Sequence, residues 1–371
     1  MDLLLTEQQR LFAETATRLA AARGGPKRRR ALRAAGAEMD AETWRAAIAA
    51  GWLATVVAER HGGQGLGMFD LALALEQAGR QLLLLPLVEA AAVASVLSRA
   101  AGDAPAASPL GDLLSGACLI VPATAVAPAR NAGRACGVGY DGKGSVLRGS
   151  VSFISNAGAA DAFLVAIDAG AESFVAIVPR ADAGVTTQRN VDGSTSSMLT
   201  FARVHVPPER VVATGTAARA LALQLQEFLM LGTAVELVGL AAAALEVTLD
   251  YSKLRQQFGR AIGSFQVLQH RAVDGFIDVE LDRSLVYRVL AACDAGEQHP
   301  AMAAAVKART SRSALQVVRA ALQMHGAIGY TEEHDIGLYY KCAMVLAARY
   351  GGELGQTGRF SDLTLAPEPS P

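Results

Sequence analysis

The sequence predicts a multi-domain fold of helices and strands, a helix bundle that carries an inserted β domain. Three observations lead there. Helical periodicity runs from Leu5 to Ala101, short β-rich runs fill residues 116 to 212, and helical period returns from Thr214 to Tyr350. Helices and strands come in blocks, which excludes an alternating βαβ parallel sheet as the main architecture. A chain of 371 residues with 51% hydrophobic content has material for two or three domains and a sizeable core.

In residues 1–115, Leu5, Phe12, Ala16 and Leu19 recur at helical spacing, and DAETWRAAIAAGWL sets an acidic first turn before an amphipathic run. The run Lys27-Arg28-Arg29-Arg30 reads as a solvated helix end. After the linker GDAPAASPLGD, the runs CLIV, SVLRGSVSFI, AFLVAI, SFVAIV and MLTFARVHV form a small β domain over residues 116–212. Residues 213–350 supply four or more long helices, and 351–371 read as a loose tail. The stretch FLMLGTAVELVGLAAAAL, residues 228–245, holds one ionisable side chain, Glu236. It has the length of a membrane span, but its small residues, its acid and its run into YSKLRQQFGR predict a buried helix and no membrane span.

Composition removes several function classes. The 34 basic and 35 acidic residues nearly cancel, so nothing calls for nucleic acid or an anionic membrane. Four cysteines lie far apart without CxxC spacing, which fits a reducing, cytoplasmic setting and neither a disulfide framework nor a zinc site. The N-terminus lacks a basic region ahead of an apolar core, so no signal peptide is expected. Six scattered histidines give no metal spacing, and there is no G-x-S-x-G elbow, P-loop or H-E-x-x-H. His61-Gly-Gly-Gln-Gly-Leu-Gly67 looks like a dinucleotide loop but lacks the surrounding βαβ unit, and reads as a flexible loop bordering a cleft.

Two stretches carry more. In Tyr251-Ser-Lys-Leu-Arg255-Gln-Gln257-Phe258-Gly259-Arg260-Ala-Ile-Gly263-Ser-Phe265-Gln266, a helix meets a Gly-bounded break and a second helix follows. Arg255 there offers a guanidinium fork to a phosphate, or a surface salt bridge. In Gln323-Met-His-Gly326-Ala-Ile-Gly329-Tyr330-Thr331-Glu-Glu333-His334-Asp335, a helix end carries glycines that permit close approach of a ligand or a neighbouring chain. A plain helix–helix turn is the alternative.

Together these stretches resemble the acyl-CoA dehydrogenase family of flavoproteins. LTEQQRLF, WRAAIAAGWLATVVAERHGGQGLG with LALEQAGRQLLLLP, and TFARVHVPPERVV look like further family landmarks, so the resemblance spans nearly the whole chain. It implies an N-terminal helical domain, a middle β-barrel-like domain and a C-terminal four-helix bundle, with FAD held between them and across a subunit contact. By motif, Arg255, Gln257 and Phe258 would reach the pyrophosphate and adenosine of a neighbouring subunit's FAD, and Gln323, Gly326 and Gly329 would line its adenosine side. Phe153-Ile154-Ser155-Asn156 resembles the family's W-I-T-N run, which places Phe153 and Ser155 at the cofactor and gives the Ser155 hydroxyl to the flavin ring. An ordinary strand serine is the other reading.

The departures are as informative. Where the family carries a T-E-P-G-x-G-S-D type loop, this chain reads LIVPATAVAPARNAG. Where many members carry a catalytic glutamate in Y-E-G-T, Gly351 stands, with Glu353 two positions late. The other family seat, twenty-two residues before the Tyr of Y-x-x-x-R, is Leu229. Glu236 lies two helical turns beyond Leu229 on the same face, where Gly232 and Gly239 would leave room for a ligand, and burial would strengthen it as the base that removes the α-proton. The alternative is a structural acid satisfied by a neighbouring helix. The resemblance implies α,β-dehydrogenation of an acyl-CoA, electron-transferring flavoprotein as acceptor, and a homo- or hetero-oligomer built as a dimer of dimers. It is closest in character to the branch of heteromeric steroid or dicarboxylyl-CoA dehydrogenase subunits. A catalytically silent partner subunit and a flavin oxidase on the same fold are the rival readings.

Overall fold

A computed structural model describes residues 5–100, 109–124, 138–140, 146–297 and 299–365. Six helices come first: α1 (Glu7–Arg23), α2 (Pro26–Ala34), α3 (Ala41–Ala49), α4 (Met68–Arg80), α5 (Leu87–Ala100) and α6 (Pro109–Ser115). Eight strands follow: β1 (Ile120–Thr124), β2 (Val138–Tyr140), β3 (Val146–Ser155), β4 (Ala162–Ile167), β5 (Phe174–Pro179), β6 (Gly184–Arg189), β7 (Thr195–His205) and β8 (Val211–Thr214). Helix α7 (Gly215–Leu254), the short strands β9 (Gln256–Gln257) and β10 (Arg260–Ala261), and helices α8 (Gln266–Asp294), α9 (Pro300–His325), α10 (Ile336–Ala348) and α11 (Glu353–Leu365) complete the chain. The acyl-CoA dehydrogenase fold class is thus present: N-terminal helices, a middle of sheets and a C-terminal helical part.

Local chemistry sets the ends of these elements. Thr6 caps α1 in a reciprocal capping box with Gln9, and the Asp40 carboxylate accepts from the Thr43 N–H to open α3. Pro300 begins α9, and Gly326, at φ 66°, ends it.

The chain divides into two compact units. One comprises residues 34–71 and 84–229, the other residues 1–33, 72–83 and 230–371. In the first, the strands form two four-stranded sheets in the orders β1-β4-β5-β8 and β2-β3-β7-β6. Pairing is antiparallel except between β1 and β4. β1 and β4 are buried along their whole length, which explains their unbroken apolar runs, whereas β7 alternates as a strand with one wet face. The HGGQGLG segment is a correction: four successive backbone bonds, from Gly63, Gln64, Gly65 and Leu66 to the carbonyls of Ala58, Ala54, Val57 and Thr55, tie it down where a flexible loop was expected.

In the second unit the part of α7 from residue 230 onward packs helices on two sides. Its apolar stretch is fully buried inside the protein, which is how so hydrophobic a segment is accommodated. Leu240, Ala243 and Ala244 pack with Val318, Leu322 and Tyr339, while Leu237, Ala241 and Leu245 pack with Val279, Val317 and Ala347. Residues 353–365, expected within a loose tail, form α11, which lays Gln356 into the core. The Lys27–Arg30 run is also corrected. Lys27 does face water, but Arg29 is 5% exposed and Arg30 reaches Asp335 (2.5 Å), joined beyond the run by Arg33 to Glu332 (3.4 Å), so the end of the run ties α2 to a distant loop.

Candidate active site

At the end of α7 the chain turns into a small hairpin. Gln256–Gln257 pair antiparallel with Arg260–Ala261, and the two residues between, Phe258 (φ 52°) and Gly259 (φ 79°), are both left-handed, as a type I′ turn requires. Asn-Gly is the usual pair there, so Phe258 carries backbone strain as well as a ring that is 92% exposed. Arg260 stacks its guanidinium 4.1 Å from the centre of Phe265, whose edge meets Phe258. Arg255 and Gln257 are exposed beside them. The arm presents a guanidinium fork, a carboxamide and an aromatic face together, a donor set suited to a phosphate joined to a flat heterocycle.

The end of α9 lies next to it. Gln323 is exposed, and the open side of the Gly326 Cα has no atom within 4 Å. Gly329 is instead packed, since a Cβ there would meet the Leu322 carbonyl at 3.1 Å. Three rings join the two motifs: Tyr251 of α7 stacks on His325 of α9 at 4.3 Å, and His334 packs against both, at 4.3 Å from His325 and 5.6 Å from Tyr251. These residues stand inside the motifs quoted above, but a ring contact between segments so far apart leaves no mark in the spacing of either. Gly326's open face and the exposed arm fit the nucleotide end of a large cofactor such as FAD.

In the sheet-containing unit, β3 breaks register with β7 between Val151 and Ile154. The break turns Phe153 outward, 84% exposed at φ 63°, and Asn156 follows at φ 58°. Ser155 between them is buried and pairs with Ser196 across the ladder. Most of the stretch that replaces the family's T-E-P loop, residues 125–137, lies outside the described residues.

Both family seats of the base hold no acid, and each is closed. Leu229 is a core residue at 1% exposure. Gly351 has φ 93°, and a Cβ there would meet the Gln356 amide nitrogen at 2.5 Å. That nitrogen donates to the Tyr350 carbonyl at 2.6 Å, so a buried carboxamide fills the space a side chain at 351 would take. Gly351→Glu is accordingly expected to lower stability without raising acyl-CoA-dependent flavin reduction above the wild-type rate, and a faster reduction in stopped-flow would contradict this. Glu353 lies 3.8 Å from Arg312 and is partly exposed. On α9, Lys307 donates to the Ser311 hydroxyl (2.8 Å) and to the carbonyls of Ala347 (2.9 Å) and Leu346 (3.3 Å), holding the end of α10 just ahead of this turn. Burial, with Arg349 nearby, pushes its pKa down to about 7.

Glu236 is buried on α7 at 8% exposure and makes a polar or electrostatic contact with another protein group. Its surroundings differ from expectation in one respect. Gly239 leaves no space for a ligand: a Cβ there would fall on the Glu76 carbonyl oxygen of α4, and a Cβ at Gly79 of α4 would fall on the Glu236 carbonyl oxygen. An E-x-x-G on each helix thus brings the two backbones into reciprocal contact. Glu76 itself stands in the LALEQAG landmark, where nothing in the sequence marks its partners. Its carboxylate accepts from Arg283 Nε (3.1 Å) and Nη2 (2.9 Å) and from the Tyr287 hydroxyl (3.0 Å). Burial and then the Glu76 charge raise the Tyr287 pKa well above the ordinary value.

Helices before and after two four-stranded sheets, with the Tyr251 and His325 motifs stacked on one another, define the acyl-CoA dehydrogenase class. Residues 6–117 match the N-terminal domain of acyl-CoA dehydrogenases and residues 227–353 the C-terminal domain. The chain belongs to the acyl-CoA dehydrogenase family. It is 26% identical over 344 residues to acyl-CoA dehydrogenase FadE27 of Mycobacterium tuberculosis, covering 90% of this chain and 91% of that one. It is 31% identical over 213 residues to the mitochondrial isovaleryl-CoA dehydrogenase of Solanum tuberosum, a match spanning 54% of this chain and 51% of the relative, about half of its length. Among solved structures, the ChsE4–ChsE5 complex from Mycobacterium tuberculosis superposes with a TM-score of 0.87 at 25% identity, covering 100% of both chains.

Proposed function

We propose that this chain is an FAD-dependent acyl-CoA dehydrogenase that removes hydrogen across the α,β bond of an acyl-CoA thioester, with Glu236 as the base. Bound FAD supplies the acceptor for the hydride. The chain's own residues would do the rest: Arg255, Gln257 and Phe258 reach the pyrophosphate and adenosine of a neighbouring subunit's FAD, Gln323 and Gly326 line the adenosine side of that cofactor, and Phe153 and Ser155 meet a flavin ring. The observation that carries the catalytic part is a carboxylate buried two helical turns from Leu229 on one continuous helix. A cytoplasmic setting, electron transfer to an electron-transferring flavoprotein, and a homo- or hetero-oligomer belong to the same proposal. The oligomer draws support from the exposed Phe258 arm and from Val273, Phe276, Ile277 and Leu281 exposed along α8.

A second reading, a catalytically silent partner of a heteromeric dehydrogenase, is favoured by the Gln356 carboxamide over Gly351. Purification of the chain alone separates the two. A yellow protein that bleaches anaerobically with a member of an acyl-CoA panel is the expected result for the enzyme, and a colourless chain that takes up flavin only beside a second subunit supports the partner. Peroxide release in air would support a flavin oxidase on the same fold.

A further inference from the structure

The three rings that join the motifs have a constraint built into their hydrogen bonds. His325 is 4% exposed, and its Nδ1 lies 2.8 Å from the Ala321 carbonyl. A carbonyl only accepts, so Nδ1 carries the proton and Nε2 is a bare lone pair, buried without a hydrogen-bond partner among the described residues. His334 is the reverse case. Its Nδ1 accepts from the Ile336 N–H at 3.2 Å, at the start of α10, so it must be unprotonated there. A proton added to His325 enters at a buried nitrogen with no acceptor; one added to His334 removes the bond to Ile336. Either puts a cation 4.3 Å from the other imidazole.

The charged and titratable groups around the rings come from four elements. Among the described residues, Arg30 of α2 adds positive charge, Asp335 on the same loop as His334 opposes it and is held by Arg30, Tyr251 of α7 contributes the stacked ring, and His325 belongs to α9. Burial lowers both histidine pKa values below the ordinary 6.5; Ala321 partly offsets this at His325 and Asp335 at His334, while the neighbouring His334 and Arg30, respectively, reinforce it.

From this geometry we infer that Tyr251, His325 and His334 form a positioning latch for the segment carrying Gly326 and Gly329, closed only while both imidazoles are neutral. The inference rests on the proposed function only in taking Gln323–Gly329 as cofactor-binding. A histidine whose pKa is lower in the folded chain stabilises that state fully above its ordinary value. That contribution is lost as pH falls through the window beneath 6.5. The latch therefore holds at neutral pH and opens in mild acid, freeing residues 326–335 while α9 remains folded.

Hydrogen exchange on the full chain tests this without flavin. After correction for intrinsic rates, residues 326–335 of the wild type are expected to lose about tenfold in protection between about pH 7.5 and about pH 5.5. His334→Phe keeps a ring that does not titrate and leaves only His325 to respond, so its step in protection between the two pH values is expected to shrink to about threefold. Titration with FAD at about pH 7.5 is expected to show affinity weakened about tenfold in His334→Ala and restored in part in His334→Phe, which regains the ring packing but not the bond from Ile336. Equal wild-type protection at the two pH values overturns the latch, as does a His334→Phe variant with the full wild-type pH step. If the exchange behaves as expected but the wild type binds no FAD in that titration, the cofactor reading of Gln323–Gly329 fails and the latch stands.

Discussion

Glu236→Gln is expected to keep bound FAD and to lose flavin reduction by acyl-CoA by about 10³- to 10⁴-fold. The carboxamide has nearly the volume of the carboxylate, so the helix crossing and the cofactor segments stay as they are. What disappears is the acceptor for the α-proton. Anaerobic stopped-flow at the flavin band, with far-ultraviolet circular dichroism as the control for folding, reads the effect directly. Reduction within about tenfold of the wild-type rate would assign Glu236 to the fold and leave the silent-partner reading in front.

The second large effect is on stability. Glu76→Ala should lower the free energy of unfolding by about 3 kcal/mol, in the range for breaking a buried ion pair by removing one partner. Glu76 accepts three hydrogen bonds from Arg283 and Tyr287, and its loss strands a guanidinium and a buried phenol together. Glu280 also bonds Arg283, which keeps the loss at the lower end of that range. Chemical denaturation measures it, and a change below about 1 kcal/mol would mean that Arg283 and Tyr287 find other partners.

Much of the fold was legible in the chain because helix and strand texture came in separate blocks. The CLIV and AFLVAI runs became β1 and β4, and FLMLGTAVELVGLAAAAL became the buried core of α7. The motif around Gly259 was legible as a break because glycines bound it, whereas the left-handed Phe258 beside Gly259 was not. What escaped was long-range pairing. Arg30 read as solvated because its partner, Asp335, lies at the other end of the chain. Residues 353–365 read as a tail because α11 is stabilised by packing on α9 and by Gln356, not by strong local periodicity. Gly239 read as room for a ligand because a small residue looks the same in sequence whether it borders a cavity or a second backbone. Of the candidate site, the two motifs proposed to hold the cofactor were legible as motifs, while the rings that join them and the carboxamide over Gly351 required the folded chain.

The reciprocal contact of α4 and α7 also bears on how variants of this protein are to be interpreted. The position of the Glu236 backbone is set by a glycine on a different helix, so an inherited or engineered Gly79→Ala would displace the acid without altering it. Such a variant would present as an enzyme with impaired chemistry and an intact sequence at its proposed base, and the same holds in mirror image for Gly239 and Glu76. Mutational scans should therefore show the two E-x-x-G pairs as one four-residue unit, in which tolerance at any member depends on the other three.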